Sequence, residues 1–145
     1  DDRDLFAELY NKIYARQQKA PPIAVSTTQR FVAAVLAAGL GRAFSATSSA
    51  GDTAALVVFV EQGDTAYAWV AGADPAFNST GATSLLYWKY FEMSQQAHFD
   101  FVGANIPSIA FFKRGLGGDL LPYYATEGFG NTWLRRAAYL KRLFR

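Results

Sequence analysis

The sequence contains no cysteine. Disulfides, thiolate metal ligands and a cysteine nucleophile are excluded together. A chain without thiols also fits a reducing compartment, and a cytoplasmic location is the expectation. Histidine occurs once, at His98. A Ser-His-Asp relay would have to be built on that residue, and a site of several histidines is ruled out, so no metal is expected. Long apolar runs are missing as well. The longest, residues 54–60, falls far short of the roughly 18 residues of a membrane span, and no transmembrane segment is expected. No signal-peptide pattern opens the chain. It starts at Asp1 and enters a helical pattern at once, as a piece of a longer protein would. Charge of one sign is lacking too. A net charge of +2 over 145 residues argues against a domain that grips nucleic acid through its overall field, and no DNA partner is expected.

What is present is apolar. At 51% hydrophobic and 16% aromatic, the chain has enough apolar surface to offset its ordering entropy, which argues against disorder. Its length suits one domain. Charge is uneven along it. Asp1, Asp2, Asp4 and Glu8 open the chain, whereas Arg135, Arg136, Lys141, Arg142 and Arg145 crowd its end.

Periodicity orders the elements. Leu5, Leu9 and Ile13, with Tyr10 and Tyr14, predict a helix over 4–18, stopped by Pro21-Pro22. Ser26 with Gln29 three residues on reads as a capping box, so a second helix runs to about 38, with Phe31, Ala34, Val35 and Ala38 on one face. Residues 42–48 read as a strand. Residues 53–60 are almost unbroken apolar chain, suited to a central strand buried on both faces. Residues 65–70 alternate and return as a hairpin partner. A loop over 72–81 leads into a helix from about 80 to 97, with Leu86, Tyr90, Met93 and Ala97 as its stripe. A short strand over 99–102, a short helix over 106–114 and a last strand over 120–126 follow. Residues 131–145 predict a basic amphipathic helix. The fold class is α+β (α/β): a mixed, mostly antiparallel sheet flanked by helices, in the order ααβββαβαβα. Residues 1–130 form one domain and 131–145 its helical end. The hairpins feed a β-α-β crossover, and a ligand is expected where the strand over 65–70 hands over to the helix after it.

That order, together with three short stretches, resembles the GNAT acyltransferase superfamily. The stretches are Asn78-Ser79-Thr80-Gly81-Ala82-Thr83 at a helix entrance, Phe99-Asp100-Phe101-Val102-Gly103, and Phe112-Lys113-x-x-Leu116-Gly117. Within the superfamily they are most similar to the FemAB-like branch, with its BioF2-like acetyltransferase domains and peptidoglycan bridge-forming aminoacyltransferases. The resemblance covers about 5–126. It implies transfer of an acetyl or aminoacyl group, from acetyl-CoA or an aminoacyl-tRNA, to an amine on a small molecule or a cell-wall precursor. No tightly bound cofactor is implied. A tRNA partner and a sister domain in the same protein are implied, because FemAB-like proteins usually hold two such domains. Ordinary acetyl-CoA-binding members carry Gln/Arg-x-x-Gly-x-Gly/Ala at the helix entrance. Here Asn78 stands in for the long polar residue and Thr83 for the last small one.

Each candidate residue has two readings. Asn78, Ser79, Thr80, Gly81, Ala82 and Thr83 either present backbone N–H groups to the phosphates of a donor or form an ordinary capped helix start. Lys113 either stabilises the oxyanion of acyl transfer, as the resemblance implies for the Phe-Lys pair, or lays its stem over Phe111 or Phe112. Asp100, Asn105, Phe112 and Tyr124 are the substrate-side candidates. Against that, Asp100 reads as a cap on the loop after it, Asn105 as the N-cap of the short helix, and Tyr124 as core. His98 reads as structural. The terminal basic helix either docks on the sheet or meets anionic lipid or RNA phosphates, at the inner membrane surface in the first case of ligand. A non-catalytic half of a tandem protein, or a docking module, is the alternative function.

Overall fold

The computed structural model describes residues 10, 11, 14, 15 and 23–124. Tyr10, Asn11, Tyr14 and Ala15 are helical, as the periodicity over 4–18 requires. The rest of that stretch, and the helix expected over 131–145, lie outside the described residues.

Helix α1 (Val25–Ala37) starts earlier than the capping-box reading places it. Ala24 is the N-cap, and no side chain caps the helix. The Ala24 carbonyl accepts from Thr27 N (2.9 Å) and Thr28 N (3.1 Å), so Ser26 already lies in the first turn. The inward stripe is also shifted. Thr28 and Val32 are buried and Leu36 packs beside them, while Phe31 is exposed. A spacing of four carries this stripe, and Phe31 instead leans edge-on against Trp69 with centroids 6.4 Å apart. Gly39, at φ +66°, turns the chain out of the helix, a conformation open to glycine at little cost.

Strands β1 (Gly41–Thr47), β2 (Thr53–Gln62) and β3 (Thr65–Ala73) form an antiparallel meander. Ala54 to Phe59 are all buried, because β2 is covered on both faces. Ala55, Val57 and Phe59 face one cluster with Ala66, Ala68, Leu86, Tyr87 and Tyr90. Leu56 and Val58 face the other with Tyr10 and Val32. Small residues on β3 leave room for the rings: Phe59 stacks on Tyr90 at 3.9 Å and meets Tyr87 edge-on at 5.5 Å. The strand runs through Glu61 and Gln62, so the turn is only Gly63-Asp64, tighter than the four residues expected. Tyr90 OH donates to Glu61 Oε1 (2.9 Å), which also pairs with Arg42 Nε (3.2 Å).

The expected loop over 72–81 is more ordered than its composition suggests. β3 reaches Ala73, a 3₁₀ helix (Pro75–Thr80) follows, and Gly81 at φ +75° opens helix α2 (Ala82–Met93). Asp74 starts the 3₁₀ turn by accepting from Ala76 N (3.0 Å). α2 ends at Met93, not 97, and its buried face is Leu86, Tyr87 and Tyr90; Met93 is exposed. Strand β4 (His98–Asp100) returns parallel to β3, giving the sheet order β1-β2-β3-β4. Helix α3 (Pro107–Gly115) completes the described chain, with Pro107 in its first turn. Residues 120–124 form no strand, and 125–126 lie outside the described residues. β4 remains the edge of the described sheet, and Leu120, Leu121, Tyr123 and Tyr124 stay exposed.

Candidate functional site

The sheet opens between β3 and β4. They pair only at Thr65↔His98, Ala66↔Phe99 and Tyr67↔Asp100. β3 then continues over 68–73 with no partner strand on that side among the described residues. The cause lies in the opposite ladder. Val58 pairs with Val70 but Phe59 with Ala68, so Trp69 is passed over as a bulge. A bulge sharpens strand twist and bends the strand away. Trp69 and Val70, consecutive residues, accordingly pack on the same cluster. The divergence leaves a row of backbone N–H and C=O groups free for an extended ligand.

The free edge of β3 leads straight to the entrance of α2. Asn78, Ser79 and Thr80 are exposed on the 3₁₀ helix, Gly81 is exposed beyond them, and Ala82 and Thr83 form the half-buried first turn of α2. Thr80 Oγ1 donates to the Phe77 carbonyl (2.7 Å) and accepts from Ala82 N (3.3 Å). The N-cap, Gly81, offers no side-chain cap, so apart from the Ala82 N–H taken by Thr80 no side chain occupies this helix start, and no carboxylate lies in its first turn. A methyl group added to Gly81 would meet nothing within 4 Å, so space is open beside this positive helix end.

The third part of the site is the turn after β4. Asp100 ends that strand and its Oδ1 accepts from Val102 N (2.7 Å), capping the turn. Val102 and Gly103 both take left-handed backbone angles, φ +50° and +63°. Lys113, half-buried on α3, reaches back across the turn. Its Nζ donates to the Val102 carbonyl (2.5 Å) and to the Gly103 carbonyl. Burial pushes the Lys113 ammonium pKa below its ordinary value, and the Asp100 carboxylate pulls it the other way. Lys113 therefore stands as a fixed, partly dehydrated cation at the end of β4, where the two strands part.

The remaining candidates scatter. Phe112 packs edge-on against Tyr87 at 5.8 Å and anchors α3 to the core. Asn105 is not the N-cap of α3; Ile106 holds that place, because Pro107 begins the helix one residue later. The Asn105 amide instead donates to Tyr123 OH at 3.5 Å. Tyr124 is 96% exposed, not core. His98 is exposed at the start of β4, with Nε2 3.8 Å from Asp64 Oδ2. The sheet divergence and the buried Tyr87 were missed from the sequence. Gly103 alone hinted at the strained turn, and nothing marked Trp69 as a bulge.

The model of the acetyltransferase (GNAT) domain family matches residues 1–114. No curated protein sequence matches the chain. Among solved structures, a possible acetyltransferase from Clostridium difficile 630 shares 15% identity at a TM-score of 0.67, covering 89% of this chain and 91% of that one. An aminoglycoside antibiotic 6′-N-acetyltransferase from Acinetobacter haemolyticus shares 16% identity at 0.62, covering 86% and 91%. A ribosomal-protein-alanine N-acetyltransferase from Brucella melitensis biovar Abortus 2308 shares 12% identity at 0.63, covering 88% and 94%. These identities establish a common fold. The family match spans most of the chain and every element of the open sheet described above, and the chain belongs to the acetyltransferase (GNAT) domain family.

Proposed function

We propose that this domain transfers an acetyl group from acetyl-CoA to a primary amine. The observation that carries the reading is the free β3 edge running from the bulge into a helix start whose N-cap is a glycine and whose first turn holds no carboxylate. An acyl-CoA has matching parts in the same order: an amide-bearing arm and a pyrophosphate. The arm pairs with the β3 backbone over 68–73. The pyrophosphate sits at Asn78, Ser79, Thr80, Gly81, Ala82 and Thr83, held by backbone N–H groups and the dipole of α2.

The amine attacks the thioester carbonyl carbon and the carbonyl oxygen takes the negative charge. Two of the three Lys113 donors are committed to carbonyls, and the third serves the oxyanion. A cation fixed beforehand loses little in reorganisation, which is what transition-state stabilisation demands. Collapse expels the thiolate, and the proton released by the amine neutralises it. Asp100, which caps the turn that Lys113 clasps, borders the acceptor side.

The Phe112-Lys113 pair supports a FemAB-like assignment, with an amine of a cell-wall precursor or amino sugar as acceptor and a cytoplasmic setting. Thermal shift tests the donor. Acetyl-CoA at 100 times its Kd stabilises by about 2.7 kcal/mol, several degrees for a domain of this size. No shift at millimolar acetyl-CoA sinks the reading, and a shift with aminoacyl-tRNA alone replaces the donor. Lys113→Met should cut turnover by about 100-fold or more while donor binding persists. Binding without turnover in the unaltered chain marks a non-catalytic half of a tandem protein.

A further inference from the structure

Two tyrosines sit three residues apart on α2, both almost wholly buried: Tyr87 is 2% exposed and Tyr90 is 0% exposed. Their hydroxyls fare differently. Tyr90 donates to Glu61. The Tyr87 hydroxyl has no hydrogen-bond partner among the described residues. Its ring is enclosed by Phe59 from β2, Phe91 from α2, Phe99 from β4, and Phe101 and Phe112 from either side of the Lys113 turn.

A phenol in such a setting is costly unless its hydroxyl is used. Phenylalanine would fill the same ring cage without that cost. No buried side-chain oxygen of the described residues lacks a partner. The little exposure that Tyr87 keeps must therefore include its hydroxyl, which opens on a crevice rather than ending in hydrocarbon. The place of that opening follows from the packing. Long side chains on a helix lean towards its N-terminus, and Tyr87 is four residues after Thr83. Its ring stacks on Phe101 at 5.7 Å, one residue before the Val102 carbonyl that Lys113 holds, and meets Phe112, one residue before Lys113 itself. The ring thus sits where α2, the end of β4 and α3 meet.

Resting on the acetyl-CoA reading above, we infer that the Tyr87 hydroxyl is a ligand contact: it donates a hydrogen bond to a carbonyl oxygen of the acyl donor's arm and positions the thioester against Lys113. The group suits the task chemically. Its only use in the free protein is to wait for an acceptor, and the arm of an acyl-CoA carries two amide carbonyls and the thioester. Burial keeps the phenol protonated, and so a donor, well past neutral pH.

The test is Tyr87→Phe, which removes one oxygen and leaves the aromatic cage. Binding of two ligands is measured by calorimetry: acetyl-CoA, and 3′-phosphoadenosine 5′-diphosphate, which has the phosphates but no arm. Melting temperature is measured alongside. The inference expects acetyl-CoA affinity to fall roughly fivefold, nucleotide affinity to hold, and the melting temperature to stay level or rise. Unchanged acetyl-CoA affinity in the variant overturns the inference while leaving the donor site standing. An equal loss for both ligands, or a lowered melting temperature, overturns it as well, since the hydroxyl would then be structural. Failure of the unaltered protein to bind either ligand removes the donor reading and this contact with it.

Discussion

The turn after β4 allows a prediction whose sign is not obvious. Val102 is a β-branched residue at φ +50°. Such a backbone costs roughly 1–2 kcal/mol for a residue other than glycine. Val102→Gly removes that strain and costs about 0.5–1 kcal/mol in extra unfolded-chain entropy. The side chain is 42% exposed, so little packing is lost. Net stabilisation of about 0–1.5 kcal/mol, centred near 0.75 kcal/mol, follows. The gain should depend on Lys113, whose bonds to the Val102 and Gly103 carbonyls hold the strained shape. In a Lys113→Met background the turn is free to relax, no strain remains to relieve, and Val102→Gly becomes neutral or mildly destabilising. The double-mutant cycle should show coupling of about 1 kcal/mol, well above the 0.3–0.5 kcal/mol typical of independent sites. Urea denaturation of the four proteins measures it, as midpoint shifts of roughly half a molar per kcal/mol. Equal stabilisation in both backgrounds refutes the reasoning, because packing of Phe101 and the Asp100 cap would then hold the turn without Lys113.

Two further outcomes are expected. Gly41→Ala should destabilise by about 3 kcal/mol in the same denaturation assay, since its Cβ would stand 2.3 Å from the Phe59 carbonyl oxygen and 2.8 Å from Val35 Cγ1; a loss under about 1 kcal/mol would show that β1 can shift. Burial pushes the Tyr87 pKa up to about 12 from 10.0. The neutral phenol leaves stability unaffected below pH 10, and stability falls as pH rises from 10 through 12, by roughly 3 kcal/mol in full, because only the buried phenolate is penalised. Tyr87→Phe should flatten the alkaline limb of the stability profile, and an unchanged limb counts against the burial argument.

Local chemistry made much of the fold readable. Unbroken apolar chain marked β2, alternation marked β3, and prolines and glycines marked most ends. Helix faces were read less well. Phe31 and Met93 looked like core residues, yet α1 turns Val32 inward and α2 turns Tyr87 inward. Periodicity gives several nearly equal apolar stripes on a helix rich in alanine or aromatics, and only the sheet beneath selects one. The final strand failed for the same reason: residues 120–124 have strand-like composition, but no sheet edge receives them.

Hydrophobic period and turn chemistry act over a few residues, and they were enough to place the meander of β1 to β3 and the crossover to β4. The sequence also singled out Lys113, Asp100 and the small residues from Asn78 to Thr83 as chemically unusual. What surrounds them was settled by packing between segments far apart in the chain. The bulge at Trp69 parts β3 from β4, and the Val102–Gly103 turn bends back under an ammonium eleven residues from Val102. These features arise from contacts between distant segments, where one missed pairing or one filled carbonyl changes the local geometry and leaves no periodic mark in the chain.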